Sequence, residues 1–315
     1  MKTQKKLFKV LIFLVAFTSA SWLLSFLFAA WANKGPYPMT LFNQLEQRLN
    51  ANLKETHTVK SLSAQDVRTL EIDANAVDLE LATGESEQIE IALNGFTSGD
   101  QPLTVENRSG TLFVGVADGK SQVQWKFLSG PNISISRSLT LKVSVPPGFA
   151  KGLKAKTSSG DILLAEMQLI DVELNATSGD VEIQKAEIQS LNASTGSGDL
   201  NVSGKVTVFV GKSGSGDVST NTLSGDTFDI STSSGGIFMA DTSALVVQLQ
   251  SGSGDVTVNL GKIEKWTANA RTTSGDIRSD LPTDEKNERP EQLKIGKGPN
   301  QLNIKTGSGD VFLRL

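Results

Sequence analysis

Hydrophobic and polar residues alternate along most of the chain beyond residue 66, and a Ser-Gly-Asp turn signal interrupts this alternation at regular intervals. The turn glycines are Gly160, Gly179, Gly198, Gly216, Gly235, Gly254, Gly275 and Gly309. Asp follows each of them except Gly235, which is followed by Gly236. Successive spacings are 19, 19, 18, 19, 19, 21 and 34 residues. A fixed period of this kind indicates a repeat architecture.

Apolar residues occupy fixed positions on both sides of each turn. Two residues after the glycine stand Ile162, Val181, Leu200, Val218, Ile237, Val256, Ile277 and Val311. Seven residues before it stand Leu153, Val172, Leu191, Phe209, Phe228, Val247, Ala268 and Leu302. Polar residues such as Lys154 and Glu173 lie between the apolar positions. Alternation with period 2 on both sides of a turn is typical of two strands with one buried face.

One such repeat cannot bury its apolar face alone, but a stack of repeats can. The pattern therefore predicts an all-β fold, a parallel β-solenoid with coils of about 19 residues. Eight coils at the usual strand spacing would span roughly 35–40 Å. The alternative is an antiparallel β-sandwich of hairpins. The 34-residue gap is interpreted as one coil with a loop inserted at residues 278–301.

The Ser-Gly-Asp turns suggest roles for each residue type. Glycine is expected to adopt a positive φ at a tight corner, and aspartate to bond its own backbone in an Asx-turn. The serine hydroxyl is expected to bond N–H groups at the corner or the stacked neighbour.

The aspartates are predicted to stack along one edge as Asp161, Asp180, Asp199, Asp217, Asp255, Asp276 and Asp310. Carboxylates about 5 Å apart repel by about 1 kcal/mol in water. Either hydrogen bonds from backbone N–H groups or a ladder of bound cations would offset this repulsion. No other metal site and no cofactor is predicted.

The amino-terminal segment predicts export. Lys2, Lys5, Lys6 and Lys9 precede an uncharged run of 23 residues from Val10 to Ala32. This run is long enough for a membrane-spanning helix, and the lysines favour a cytoplasmic amino-terminus with the rest of the chain outside. The alternative is a signal peptide cleaved near Ala32, because Ala30-Trp31-Ala32 fits a cleavage site.

The domain organisation follows from these patterns. Residues 1–33 are the anchor or signal peptide, and residues 34–65 a juxtamembrane helix, from Met39 to Lys54, followed by a linker. Residues 66–148 are an irregular β part that caps the solenoid, and residues 149–315 are the regular solenoid. The last coil in chain order is expected to have an open edge. We expect the 278–301 insertion to cover this coil; the alternative is that the coil supports self-association.

The alternating strands, the Val-Pro-Pro-Gly exit at 145–148 and the serial Ser-Gly-Asp turns followed by Ile, Val or Leu resemble the putative adhesin family of bacterial envelope proteins. The resemblance covers residues 66–315. This family is a β-strand-repeat domain of unknown function. The resemblance implies a right-handed β-helix behind a membrane anchor or signal peptide, with no defined catalytic residues. Gly236 and the insertion depart from the regular pattern.

Few residues suggest chemistry. The single histidine, His57, lies in the predicted linker, and the chain has no cysteine. Gly211-Lys212-Ser213 has Val206 where a phosphate-binding loop requires its first glycine. The net charge of −4 and the pI of about 5.3 argue against nucleic acid as a partner.

These observations favour a membrane-anchored, extracytoplasmic and non-catalytic β-solenoid that acts as an envelope scaffold or adhesion module. Its partners would be the membrane, through the amino-terminal helix, and envelope proteins or surface polymers. One alternative is a regulatory component of the envelope-stress response that works through membrane partners. A polysaccharide-active enzyme is less favoured, because the carboxylates repeat evenly and catalytic carboxylates need unequal environments.

Overall fold

A computed structural model describes residues 54–97, 103–116, 122–125, 133–136, 139–149, 151–260, 265–280 and 292–314. The predicted membrane span, Val10 to Ala32, and the predicted helix before Lys54 lie outside these residues. In the part of the chain that is described, no helix has the length and apolar character that a membrane crossing requires.

The elements are β-strands, and most belong to one sheet. The irregular part contains β1 (Lys54–Ser63), β2 (Thr69–Ala74), β3 (Val77–Thr83), β4 (Gln88–Thr97), β5 (Leu103–Arg108), β6 (Thr111–Val116), β7 (Gln122–Trp125), β8 (Ile133–Ser136) and β9 (Leu139–Val145). β7 and β8 form a separate antiparallel pair.

The repeat region supplies the other strands. They are β10 (Gly152–Thr157), β11 (Ile162–Ala165), β12 (Gln168–Ala176), β13 (Val181–Thr195), β14 (Leu200–Ser213), β15 (Val218–Ser224), β16 (Thr227–Thr232), β17 (Ile237–Ala240), β18 (Val246–Ser251), β19 (Val256–Asn259), β20 (Trp266–Thr272), β21 (Ile277–Ser279), β22 (Gln292–Ile295), β23 (Asn300–Thr306) and β24 (Val311–Arg314).

Equivalent strands of successive repeats pair in parallel and in register. Leu153 of β10 pairs with Val172 of β12, and Ile162 of β11 pairs with Val181 of β13. The prediction of an all-β, largely parallel and solenoid-like fold is therefore confirmed, and the repeats do not form antiparallel hairpins. The strands before the turn make one face of the column, which we call the first face, and the strands after the turn make the second face.

The interior is a continuous apolar column. Burial along β13 follows the alternation of the sequence, with apolar side chains inside and polar ones outside except for the buried Thr195 at its end. The rings of Phe209 and Phe228 meet edge to face in this core, with their centroids 6.2 Å apart. Apolar contact of this kind is the main favourable term in folding.

The corner after the second-face strand is left-handed in successive coils. The residues there have positive φ, and they are Glu166, Lys185, Gly204, Thr222 and Asp241. The turn glycines are not among the residues with positive φ. The expectation of positive φ at the Ser-Gly-Asp corner is therefore wrong. The residues with a left-handed backbone conformation lie at the other corner, after the second-face strand.

Coils do not stack in chain order at the carboxy-terminal end. β23 pairs with β18 on one side and with β20 on the other, and β24 lies likewise between β19 and β21. The last coil of the chain is therefore inserted between the two preceding coils. The expectation that this coil has an open edge is wrong, and the outermost coil is the one formed by β20 and β21.

Part of the insertion covers that outermost coil. β22 pairs antiparallel with β20 on the side away from β23. The insertion therefore lies at the end of the column, as predicted, but on a different coil. β21, the outermost strand of the second face, has only three residues, and a short edge strand discourages pairing with other chains.

A similar rearrangement occurs at the other end. β2 and β3 pair in parallel with β10 and β11, although β4 to β9 intervene in the sequence. β6 and β9 stack outside β2 and β3, and β5, β4 and β1 complete the cap by antiparallel pairing. Lys54, predicted to end the helix, and residues 55–63, predicted to be part of a linker, thus form an edge strand of the sheet. His57 lies on this strand and contacts Asn94 of β4.

Candidate functional site

The turn glycines are required by close stacking of the backbone. A Cβ atom added to Gly179 would lie 1.9 Å from the carbonyl oxygen of Gly160 in the neighbouring coil. A Cβ atom added to Gly254 would likewise lie 1.9 Å from the carbonyl oxygen of Gly235. Real Cβ atoms do not approach oxygen so closely, so any side chain would force the coils apart. The glycines therefore permit contact between coils rather than an unusual φ.

A row of buried hydroxyl groups closes the turn from inside. Thr195 donates its hydroxyl to the carbonyl of Gly179 at 2.8 Å and accepts the N–H of Gly198 at 3.0 Å. The other members of the row that make both bonds are Thr157, Ser213, Thr232, Ser251, Thr272 and Thr306. Our sequence analysis assigned hydroxyl bonding to the serine before the glycine and missed this row. The available signal was a Thr or Ser three residues before seven of the eight glycines, where only Ala176 differs.

The structure brings the predicted aspartates together along one line on the second-face side of the turn, in a ladder that is interrupted at Gly236. The N–H of Asp180 donates to Oδ1 of Asp161 at 2.8 Å, and the N–H of Asp199 donates to Oδ1 of Asp180 at 2.7 Å. Each bond joins two coils, so the expectation that the aspartate bonds its own backbone is wrong. The carboxylates act as acceptors for the next coil, which offsets their mutual repulsion.

The order of the ladder follows the order of the coils in space. The main-chain N–H of Asp310 donates to Oδ1 of Asp255, and the main-chain N–H of Asp276 donates to Oδ1 of Asp310, as the inserted last coil requires. Asp217 accepts the N–H of Gly236, which has no carboxylate to offer to the following coil. At the amino-terminal end of the ladder, the main-chain N–H of Asp161 donates to Oδ1 of Asp78. Asp78 was not among the aspartates predicted for the ladder. Its signal was the Asp-Leu-Glu-Leu run at 78–81, which matches the residues after a turn glycine.

Cation binding by the aspartate ladder stays a prediction. Among the described residues, no group of three or more His, Asp or Glu side chains is placed to hold a metal ion. The Gly211-Lys212-Ser213 run lies within the regular strand β14, where it has the strand conformation rather than that of a phosphate loop.

The outward side chains of the first face form a groove near the carboxy-terminal end. Its volume is about 750 Å³. Three neighbouring strands supply its floor, and we define the amide-lined groove by Gln248, Gln250, Asn303, Lys305, Asn269 and Arg271. Asp229 lies at one end of the groove, and Gln292 of β22 at the other.

The register arranges these side chains in two columns along the stacking direction. In one column Gln248 pairs with Asn303, and Asn303 pairs with Asn269. The amide of Asn269 donates to Oδ1 of Asn303 at 3.3 Å, so neighbouring amides in this column are already aligned.

The second column runs from Gln250 through Lys305 to Arg271. Lys294 of β22 extends the first column next to Asn269. Among the described residues, the groove and its β22 edge therefore present the cations of Arg271, Lys305 and Lys294 against the carboxylate of Asp229. This arrangement can donate and accept hydrogen bonds along a line and can attract a negatively charged ligand.

Sequence reasoning missed the groove because the columns depend on the spatial order of the coils. In chain order Gln248 would neighbour Asn269, and Asn303 would lie at the open end. The available signal was the run of amides six residues before the last three turn glycines, at Gln248, Asn269 and Asn303.

The second face carries a different surface. The guanidinium carbons of Arg278 and Arg314 lie 5.6 and 5.7 Å from the ring centroid of Phe312. Arg278 also pairs with Asp276 at 3.2 Å. The ring of Phe312 and the guanidinium of Arg278 therefore already contact other side chains of the same face. The amide-lined groove is the stronger candidate for a ligand site.

Comparisons with known proteins give a family match and several similar solved structures. The sequence pattern of a family described as Toastrack DUF4097 matches residues 67–314. No curated protein matches this chain.

Several solved structures are similar over most of this chain. A putative adhesin from Parabacteroides merdae ATCC 43184 has 14% identity and a TM-score of 0.53, covering 82% of this chain and 96% of its own. A putative lipid binding protein from Parabacteroides distasonis ATCC 8503 has 14% identity and a TM-score of 0.47, with the same coverage. A putative adhesin from Bacteroides fragilis NCTC 9343 has 14% identity and a TM-score of 0.43, covering 82% and 98%. At this identity the likeness shows the fold alone.

Proposed function

This chain belongs to the Toastrack DUF4097 family, and from that premise we propose that it is a non-catalytic binding module of the bacterial cell envelope. The column would serve as a rigid scaffold, and the amide-lined groove would hold an envelope component. The adhesin description of the Parabacteroides merdae structure is consistent with this role.

The observation that carries the proposal is the composition of the groove. Its side chains are amides and cations on adjacent, paired strands. Such side chains suit recognition by hydrogen bonds and charge, and sites on regular strands hold their side chains more precisely than sites on loops. A catalytic site would instead need a paired acid and base with different environments.

The anchor completes the proposal. The uncharged run from Val10 to Ala32, preceded by lysines, would hold the column outside the membrane. We further propose that the coils wind in a right-handed sense, as parallel β-strand crossovers almost always do. In this arrangement the membrane would be one partner, and an envelope protein or surface polymer the other.

Recovery of the partners from intact cells tests the proposed role. Tagged full-length protein is fixed with a short crosslinker, purified and analysed for attached protein and polymer. We expect surface polymers or structural envelope proteins, and their yield should fall when Arg271 and Lys305 are both changed to Gln. Recovery of membrane signalling proteins alone, with no dependence on these two residues, would contradict the proposal and favour a regulatory role.

A further inference from the structure

The amide-lined groove has a repeat length of its own. Its two columns advance by one residue per coil, and paired strands lie about 4.8 Å apart. A ligand that follows the columns therefore meets similar hydrogen-bonding groups at that interval. The three coils that supply Gln248, Asn303 and Asn269 give three positions separated by two such intervals, and β22 adds a fourth position through Lys294.

This interval distinguishes between kinds of extended polymer. An extended peptide advances by about 3.3 Å per residue, so its groups would fall out of step with the coils after one or two residues. The advance per sugar residue along an extended 1,4-linked polysaccharide is close to the spacing between neighbouring coils. Its hydroxyl groups donate and accept hydrogen bonds, as the amides of Gln248 and Asn303 do.

The charges of the groove indicate the kind of polysaccharide. Arg271 and Lys305 are exposed on neighbouring strands of the second column, and Lys294 is exposed beside Asn269. A guanidinium group pairs well with carboxylates, and hydrogen bonds between charged partners are about twice as strong as neutral ones. A row of cations next to a row of amides suits a polymer that carries both carboxylates and hydroxyl groups.

A second groove shows why the amide-lined groove is preferred. It has a volume of about 780 Å³ and lies where the irregular part meets the first regular coils, lined by Arg68, Lys151 and Lys154 among others. Lys151 donates to the carbonyl oxygen of Ala64 at 2.9 Å, and Lys154 pairs with Glu173 at 3.4 Å. Two of its three cations thus already have partners within the chain.

We propose that the amide-lined groove binds an extended, carboxylate-bearing polysaccharide, with the polymer axis parallel to the stacking direction and one sugar residue per coil. This inference rests on the proposed function, because it names the class of envelope component that the binding module would hold. Successive sugars of an extended 1,4-linked chain are turned over, so their carboxylates face the two columns alternately. Arg271 in one column and Lys294 in the other would bind carboxylates of adjacent sugars, with Lys305 beside them, and the amides of Gln248, Asn303 and Asn269 would bind the hydroxyl groups.

The test measures binding of two sugar hexamers to the full-length protein in detergent. One probe is the β-1,4-linked hexamer of mannuronic acid, and the other is the neutral β-1,4-linked hexamer of glucose, which is extended in the same way. We expect the acidic hexamer to bind more tightly, with affinity that falls as salt rises. Changing both Arg271 and Lys305 to Gln should weaken it by about tenfold or more.

A matched control uses two exposed lysines that the hexamer does not reach. Lys156 lies four residues before its turn glycine, as Arg271 and Lys305 do, but several coils from the groove, and Lys205 lies on the part of β14 before the first-face strand. Their double change to Gln alters the net charge equally and should leave the affinity within about twofold. A loss of affinity that is the same for both double variants would overturn the site, since it would indicate general attraction to positive charge.

The outcomes separate this inference from the proposed function. Absence of binding by the acidic hexamer, or equal binding of both hexamers, would overturn the ligand class. If polymers or envelope proteins were then still recovered from cells, the proposed function would stand without it. Groove-dependent binding of the acidic hexamer would support the inference even if the cell experiment recovered only signalling proteins.

Discussion

The main-chain N–H of Asp180 donates to Oδ1 of Asp161, 19 residues earlier in the chain, at 2.8 Å. The bond joins two coils, and its repetition ties the corners of the column together. A charged acceptor strengthens each such bond. The aspartate that follows the turn glycine is thus explained by contacts between coils, without a ligand.

The break in this ladder at Gly236 gives the first prediction. Changing Gly236 to Asn should raise the free energy of unfolding by about 0.5–1.5 kcal/mol, because the new side chain can accept the N–H of Asp255. An added Cβ would lie 3.3 Å from the carbonyl oxygen of Asp255, so this carbonyl must move by a few tenths of an ångström to admit the side chain. Denaturant unfolding of the full-length protein measures the change.

The control for this prediction is the change of Gly236 to Ala, which removes backbone freedom from the unfolded chain but adds no acceptor. The Asn variant should be more stable than the Ala variant. The Asp variant should gain less than Asn at low salt, because its carboxylate would repel those of Asp217 and Asp255. Equal stability of the Ala and Asn variants would show that the acceptor contributes nothing.

Two adjacent glycines test the role of close stacking. A Cβ on Gly235 would lie 2.0 Å from the carbonyl oxygen of Gly216, whereas the nearest atom to a Cβ on Gly236 is 3.3 Å away. Changing Gly235 to Ala should therefore lower the stability by about 1–3 kcal/mol, as overpacking does. The Ala variant at Gly236 should lose much less stability than the Ala variant at Gly235. Thermal unfolding compares the two, and similar losses at both glycines would argue against the stacking explanation.

The buried hydroxyl row gives a third prediction. Changing Thr195 to Val keeps the shape of the side chain but leaves the N–H of Gly198 and the carbonyl of Gly179 without this partner. The expected loss is about 1–3 kcal/mol, the usual cost of an unsatisfied buried group. Changing Thr195 to Ser keeps the hydroxyl and should cost less. If Ser destabilised as much as Val, the loss would come from the methyl group and not from the hydrogen bonds.

The fold class could be predicted from the sequence because the signal is local and repeated. Each coil places apolar residues such as Ile162 and Val181 at fixed distances from a turn glycine, and the period requires stacking. The stacking order could not be predicted, because the coils share one pattern and Leu302 fits beside Val247 as well as Ala268 does. Order depends on the long connections, whose sequences carry no repeat. The groove was missed for the same reason, since its columns form only when β23 lies between β18 and β20.

The coil order can be tested with paired cysteines, because the natural chain has none. Gln248 and Asn303 are register partners, so cysteines at these positions should form a disulfide under mild oxidation. Gln248 and Asn269 are two strands apart, roughly 10 Å, which is too far for a disulfide. The pair at 248 and 269 is therefore the control. Its rapid oxidation, with none at 248 and 303, would restore stacking in chain order.

Photocrosslinking in intact cells tests the central claim, that the amide-lined groove is the surface that binds an envelope component. A photoreactive amino acid is placed at Gln250 in the groove or at Glu182, which is exposed on the second face. After irradiation, the full-length protein is recovered and analysed for attached polymer or protein. The account predicts that an envelope component, above all a carboxylate-bearing polysaccharide, is attached from Gln250 and not from Glu182. Attachment from Glu182 alone, or equally from both positions, would contradict it.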